Sequence, residues 1–292
     1  MADNHDTREV DQETGTETTG HTWDGIKELD TPLPKWWLYT FYGTIVWGVI
    51  YTMLYPAWPL VTEATAGILG HSTRAAVHER IAEAAEAQSI YTDRIAALAI
   101  EEVAADAELA QFSQAGGAAI YRTNCSQCHG AGAAGVQAAG YPNLRDDAWL
   151  WGGTLEEIEY TLRHGIRYDG DDDTRYSEMP AFGELGILDK AQIELVAEHV
   201  LSLSGGAESS EEGATLYAEN CAACHGDGGE GMHELGAPNI ADAIWLYGGD
   251  KERIVETITY SRAGVMPGWS ERLTDAQIKQ AAIYIHSLGG GE

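Results

Sequence analysis

Cys125-Ser126-Gln127-Cys128-His129 and, later in the chain, Cys221-Ala222-Ala223-Cys224-His225 carry its strongest signal. Between them they use all four cysteines of the 292 residues. Cys-x-x-Cys followed at once by His is the attachment signature for c-type haem. Two thiols one helical turn apart can each form a thioether to a vinyl edge of one porphyrin, and the adjacent imidazole then lands beneath the iron. A thioredoxin-like redox pair would need a surrounding βαβ pattern, which is missing. Zinc asks for a second Cys pair or a Cys/His pair at short range. A structural disulfide remains, but two copies that consume every cysteine, each followed by His, favour two covalently bound c-type haems.

Working outward, the second half of the chain repeats itself. Tyr121 and Tyr217, Cys125 and Cys221, Pro142 and Pro238, Trp149 and Trp245, and Gly152 and Gly248 all differ by 96. Met179-Pro180 matches Met266-Pro267, and beyond them the offset falls to 85, as for Leu188 and Leu273. The first copy therefore carries extra residues before its methionine, in the acidic stretch Asp169 to Asp173, expected to be a surface loop. Each copy reads as a small helical unit: a helix into the cysteine motif, a Gly- and Pro-containing loop, a helix after Gly153 or Gly249, a methionine loop, and a last helix. That last helix has a capping-box start, Asp189 with Gln192 or Thr274 with Gln277. Gly205 to Gly213 has the composition of a short flexible linker.

The sixth iron ligand should come from a loop well separated in sequence. Met179 and Met266 qualify, each followed by a proline that stiffens its loop. Met1 is terminal, Met53 lies in an apolar run, and Met232 is too close to His225 to swing round to the far face. The expected ligands are thus His129, Met179, His225 and Met266, each methionine serving the haem of its own copy. His/Met ligation fills both axial positions, which suits electron transfer and leaves no open site for a substrate. His164, His199, His233 and His286 read as structural or solvated. Trp149, Trp151, Trp245 and Tyr247 read as haem-pocket walls. The Pro142-Asn143 and Pro238-Asn239 segments are expected to offer the backbone carbonyl that orients each ligating imidazole.

The N-terminal part differs in character. Residues 1–34 are polar and acidic and show no periodicity, which predicts a mostly flexible tail. From Trp36 to Leu54 no charged residue occurs. At about 1.5 Å per residue the run covers roughly 30 Å, the hydrocarbon thickness of a bilayer. Trp36, Trp37 and Tyr39 at one end, and Tyr55 and Trp58 at the other, sit where interfacial rings belong. The long acidic region before it argues against a cleaved signal peptide in spite of Ala64-Thr65-Ala66. Lys27 and Lys35 precede the run and the next basic residue is Arg74, which places the N-terminus in the cytoplasm and the rest outside. Residues 73–110, rich in Ala and Glu without Gly or Pro, suggest one or two connector helices. The formal net charge of −29 excludes a sequence-independent grip on nucleic acid and suits docking of a basic cytochrome, or simply solubility.

These features together resemble a known family. Thr31-Pro-Leu-Pro-Lys-Trp-Trp37, the single apolar run, Pro56-Ala-Trp-Pro59, two class I cytochrome c units, and His21-Thr-Trp-Asp-Gly-Ile26 in the tail are similar to the dihaem subunit III of bacterial cbb3-type cytochrome c oxidases. The resemblance implies an all-α fold with one N-terminal transmembrane helix and two tandem class I cytochrome c domains. The segments would be a cytoplasmic tail (1–34), an anchor (35–59), a connector (60–107), and cytochrome domains at 108–206 and 207–292. It implies a respiratory electron-transfer subunit of the bacterial inner membrane, single-pass, with periplasmic haem domains. Its partners would be a catalytic subunit with haems b and b3 and copper and a monohaem c subunit, with a soluble cytochrome c or the bc1 complex as donor. The resemblance also implies that the methionines can cross, Met179 serving the second haem and Met266 the first. Competing functions are a dihaem cytochrome c peroxidase, which would need an open axial position, and a free-standing membrane-bound dihaem carrier.

Overall fold

The computed structural model describes residues 8–206 and 208–291. Met1, Asp3 and Asp6 of the tail and the domain boundary at Ala207 lie outside them. The chain divides into two units, residues 1–85 and 86–292.

In the first unit the tail is not structureless. Strands β1 (Thr18–Trp23) and β2 (Ile26–Leu29) pair antiparallel, Trp23 opposite Ile26 and Thr22 opposite Lys27. The turn is Asp24-Gly25, with φ of 47° and 85°. Positive φ at both central positions is what a tight two-residue hairpin requires, and Asp-Gly supplies it at low steric cost. Charge alone had pointed to disorder; the Asp-Gly pair between β-favouring Thr, Trp and Ile was the competing signal.

Helix α1 (Lys35–Leu54) follows Pro34, which fits the entrance of a helix because its ring fixes φ and it has no N–H to leave unpaired. None of the α1 side chains is buried. By mean hydropathy, no helix among the described residues is long and apolar enough to cross a membrane. In α1 that mean is lowered by Trp36, Trp37, Tyr39, Tyr42, Trp47 and Tyr51, whose rings are large but carry polar tips. After α1 the chain turns back, Ile68 donating to the Met53 carbonyl at 2.9 Å and Leu69 to Leu54 at 3.1 Å.

Helix α2 (Thr73–Ala97) spans the division between the units, and α3 (Ile100–Ala105) follows. The first sequence copy then provides α4 (Ala107–Ile120), a π-turn through Tyr121–Cys125, α5 (Ser126–His129), α6 (Leu155–His164) and α7 (Lys190–Leu203). The second provides α8 (Glu211–Asn220), α9 (Ala222–His225), α10 (Lys251–Tyr260) and α11 (Asp275–His286). Both expected capping boxes form: Asp189 accepts from Gln192 N, Thr274 from Gln277 N, and each glutamine reaches back.

The helices pack crosswise between the copies. α11 lies on α4 and α6, while α7 lies on α8 and α10. One core joins Leu109, Tyr121, Cys125, Ile158 and Leu162 of the first copy to Trp269, Ile278, Ala282, Ile283 and Ile285 of the second. The other joins Phe182, Leu188, Ile193, Val196 and Val200 of the first to Tyr217, Cys221, Ile254 and Ile258 of the second. At each crossing a glycine lets two backbones meet. A Cβ on Gly117 would fall 2.1 Å from the Gln280 carbonyl oxygen, and one on its repeat counterpart Gly213 would fall 2.7 Å from that of Leu195. Lys279, buried on α11, donates Nζ to the carbonyls of Ile95, Ala96 and Leu98 at 3.2, 3.1 and 2.5 Å, so it caps the open C-terminus of α2.

Candidate functional site

Each cysteine motif sits where one helix ends and a single short turn follows. Tyr121 and Tyr217 are buried beneath the motifs and donate their hydroxyls to the carbonyls of Gly130 and Gly226, both at 2.7 Å. These bonds tie the glycine after each histidine to the preceding helix, so the motif cannot unwind past its own end. Cys125 and Cys221 are buried, Cys128 is half-buried and Cys224 exposed, and all four thiols are free. Burial, with a smaller contribution from the neighbouring cysteine, pushes the thiols of Cys125 and Cys221 up to about 11. A buried neutral sulfur tolerates conversion to a neutral thioether and resists becoming a thiolate.

His129 Nδ1 donates to the Pro142 carbonyl at 3.1 Å and His225 Nδ1 to the Pro238 carbonyl at 3.0 Å, as expected. The bond fixes the tautomer and leaves Nε2 as the lone-pair nitrogen, the form an imidazole needs to ligate a metal. Burial lowers both histidine pKa values, partly offset by the carbonyl bonds, so the rings stay neutral. Gly135 and Gly231 make the close approach possible: a Cβ on either would lie within 2.7 Å of the backbone around Pro142 or Pro238.

The methionines pack across the copies rather than on the core of their own cysteine motif. Met266 packs on the core that contains Cys125, and Met179 on the core that contains Cys221. The physical cause is backbone stitching. Ile166 and Met266 exchange N–H···O bonds at 2.9 and 3.0 Å, and Trp269 N donates to the Leu162 carbonyl at 2.9 Å, which sews the second methionine loop to the end of α6. Gly165, at φ +73°, has no room for a Cβ because the Met266 carbonyl would be 2.3 Å away. In the mirror arrangement Phe182 N donates to the Ile258 carbonyl and Glu184 N to that of Thr259, both at 3.0 Å, sewing the first methionine loop to the end of α10.

The two motif loops also face each other. A Cβ on Gly140 would strike the Tyr247 ring at 2.4 Å, and one on Gly236 the Trp151 ring at 2.3 Å. Gln137 Nε2 donates to the Trp245 carbonyl at 2.6 Å. Trp149 donates its Nε1 to the Gly290 carbonyl. The four aromatic residues expected as pocket walls are thus placed as two that border the cores, Trp149 and Trp245, and two that form the seam between the loops, Trp151 and Tyr247. Sequence reading had no sign of the seam except the paired glycines at equal offset.

Other candidates are engaged with partners of their own. His164 Nδ1 bonds Asp171 at 3.0 Å, in the acidic loop peculiar to the first copy, and His199 Nδ1 meets Ser209 Oγ at 2.7 Å. Met232 pairs its backbone with Ala237 and closes a small loop.

The donor set fits a covalently attached porphyrin in each half: two free thiols, a neutral oriented imidazole and a thioether loop bordering the same core. Two buried donors without an acceptor, Trp151 Nε1 and Arg175 Nε, also fit a group with acid side arms.

Comparison with known proteins agrees with the geometry. Residues 15–62 match the N-terminal domain of cytochrome oxidase-cbb3, FixP; residues 114–204 match cytochrome c; and residues 208–285 match cytochrome c oxidase, cbb3-type, subunit III. A cbb3-type cytochrome c oxidase subunit CcoP of Cereibacter sphaeroides is 56% identical over 94% of this chain and 95% of its own length. A FixP subunit of Sinorhizobium medicae is 48% identical over the whole of both chains, and a CcoP subunit of Azospirillum brasilense 50% identical over 98% and 99%.

Proposed function

The chain belongs to the cbb3-type cytochrome c oxidase subunit III family, and from that premise and the crossed packing we propose how its two haems are held and used. It is an electron-transfer subunit with two covalently bound c-type haems. Cys125, Cys128 and His129 attach the first and Cys221, Cys224 and His225 the second. Met266 would supply the thioether ligand of the first, and Met179 that of the second. The observation that carries this assignment is the pairing of each methionine with the cysteine motif of the other copy in one packed core. When bound, each haem supplies a reversible one-electron couple. The protein's part would be to offer a neutral imidazole and a thioether to each haem, to fix the imidazoles through Pro142 and Pro238, and to surround the group with the two cores. A haem held by both a histidine and a methionine would leave no position for peroxide, which favours electron transfer over peroxidase chemistry.

Electrons enter from a soluble cytochrome c or the bc1 complex and leave towards a catalytic subunit with haems b and b3 and copper, beside a monohaem c subunit. The anchor is α1: its 20 residues at about 1.5 Å each span roughly 30 Å, no charge follows Lys35 within it, and none of its side chains is buried. The N-terminus lies in the cytoplasm and the haem units outside, in keeping with the basic residues before α1.

The test uses a background without the first haem, Cys125→Ala with Cys128→Ala. There Met179→His should convert the remaining haem from methionine to histidine ligation and lower its potential, and Met266→His should leave its spectrum unchanged. The opposite pattern would sink the crossed assignment. Extraction of membranes at alkaline pH tests the anchor: the chain should stay in the pellet, and its release would remove α1 as a span.

A further inference from the structure

We infer that Arg167 is a positioning residue for both methionines, one guanidinium that ties the two methionine loops to each other. Its Nε donates to the Gly264 carbonyl at 2.8 Å and its Nη1 to the Ser177 carbonyl at 2.9 Å. Gly264 stands two residues before Met266, and Ser177 two residues before Met179. The two loops belong to different copies and border different cores, so a single side chain reaches the approach to both thioethers. The guanidinium donors point in different directions within one rigid plane, which lets Arg167 hold the two carbonyls at a fixed separation. Both bonds come from a charged donor and are the stronger for it.

Little else holds the loops at these points. The first loop is fastened at Arg175, whose carbonyl accepts from Arg167 N at 2.8 Å. Between Arg175 and Met179, the Ser177 bond is the only hydrogen bond to another segment among the described residues. Between Arg262 and Met266, the Gly264 bond is likewise the only one. Glu178 and Val265, which separate the two carbonyls from their methionines, are exposed, so burial does little to restrain them.

The backbone and the repeat point the same way. Arg167 has φ of +52°, a left-handed conformation that costs any residue with a Cβ. Its neighbours enforce it: Ile166 pairs its backbone with Met266 on one side and with Arg175 on the other. A glycine would adopt this conformation freely, so the strain is accepted at a position whose side chain is in use. In the second copy the matching helix ends in the same way, Ser261 at φ +58° answering Gly165 at +73°. At the same offset of 96, however, Arg167 is answered by Ala263, which has no side chain to send back. The repeat therefore carries one clamp at this position, and it serves both loops.

A methionine kept on the iron holds the haem potential high, so a loosened loop should lower the potential and admit other ligands. The inference rests on Met179 and Met266 being the axial ligands, and the assay separates the two ideas. The full-length holoprotein is held ferric in detergent and mixed with imidazole, and loss of the methionine-to-iron charge-transfer band is followed in time. Wild type should show that band for both haems; its absence would overturn the ligand reading, and this inference with it, before any Arg167 variant is made. Arg167→Gly suits the left-handed backbone and removes the clamp. It should keep two covalent haems per chain, exchange methionine for imidazole about tenfold faster or more at both, and lower both potentials. Arg167→Lys keeps the charge but replaces the planar fork by one nitrogen, and should exchange faster than wild type at one haem at least; if Arg167→Gly loses haem, this variant alone decides. With the band present in wild type, the clamp is overturned by unchanged exchange in Arg167→Gly, by an effect confined to one haem, or by wild-type exchange at both haems in Arg167→Lys, which would mean that charge alone matters.

Discussion

Ile193 and Ile278 occupy the same place in the two copies but opposite cores, so truncating each should be felt by the other copy's haem motif. Ile278 on α11 is 0% exposed and packs in the core with Tyr121 and Cys125; Ile193 on α7 is 3% exposed and packs with Tyr217 and Cys221. Cutting a fully buried isoleucine to alanine costs about 2–5 kcal/mol, through lost burial and the cavity that remains. At about 1.4 kcal/mol per tenfold, that opens the affected core from roughly 30-fold to several thousand-fold more often. Amide exchange followed by mass spectrometry on the holoprotein reads this segment by segment. Ile278→Ala should speed exchange in residues 107–120 and 155–164, which come from the first copy, and leave 211–220 and 251–260 unchanged. Ile193→Ala should do the reverse. If each substitution instead loosened the helices of its own copy, the crossed packing would be wrong and the methionine assignment would fall with it.

Three further outcomes are expected. Gly117→Ala should cost about 1–3 kcal/mol by overpacking, because the new methyl meets the Gln280 carbonyl and the Tyr284 Cβ, and the loss should appear as a lower thermal midpoint of the holoprotein. Lys279→Met should leave three carbonyls at the end of α2 without a donor, so limited trypsinolysis should cut faster at Arg94, whereas unchanged cutting would show that the cap is dispensable. Asp275 is held below its ordinary value of 3.8 by its hydrogen bond to Arg163, so its contribution is present above that value and disappears as pH falls through the depressed one. Wild type should therefore melt above Asp275→Asn at pH 6, and the gap should close well below pH 4; a gap that widened on acidification would contradict the ion pair.

Much of the site was legible because it is written in local grammar. Cysteine spacing, the histidine beside it, the prolines that offer carbonyls, and the capping boxes at Asp189 and Thr274 all act within a few residues, where sequence separation and spatial separation agree. The hairpin at Asp24-Gly25 was local too, but its signal was masked by the surrounding acids. Trp151 was legible as an aromatic wall, but the unsatisfied donors of Trp151 and Arg175 were not, for another reason. What singles them out is the absence of an acceptor, and a missing partner has no signature in a string of letters.

The crossing is the instructive failure, because a length in the sequence already contained it. Two copies that share their glycines and core isoleucines offer each last helix two similar partners, Gly117 matching Gly213 and Ile193 matching Ile278, so these positions do not by themselves choose between them. Chain connectivity chooses. α7 ends at Leu203 and α8 begins at Glu211, and helices joined by so short a link settle as antiparallel neighbours because there is too little chain to carry either one elsewhere. In each copy the first and last helices are meant to cross at a glycine, so once α7 crosses α8 at Gly213, α4 is left without its own last helix. Among the described residues the equivalent surface is that of α11, and Gly117 receives it. Each methionine loop leads directly into its last helix, Met179 into Lys190–Leu203 and Met266 into Asp275–His286, and travels with it. On this account the crossed packing of the methionine loops is a consequence of the linker, which joins the two copies through two shared cores.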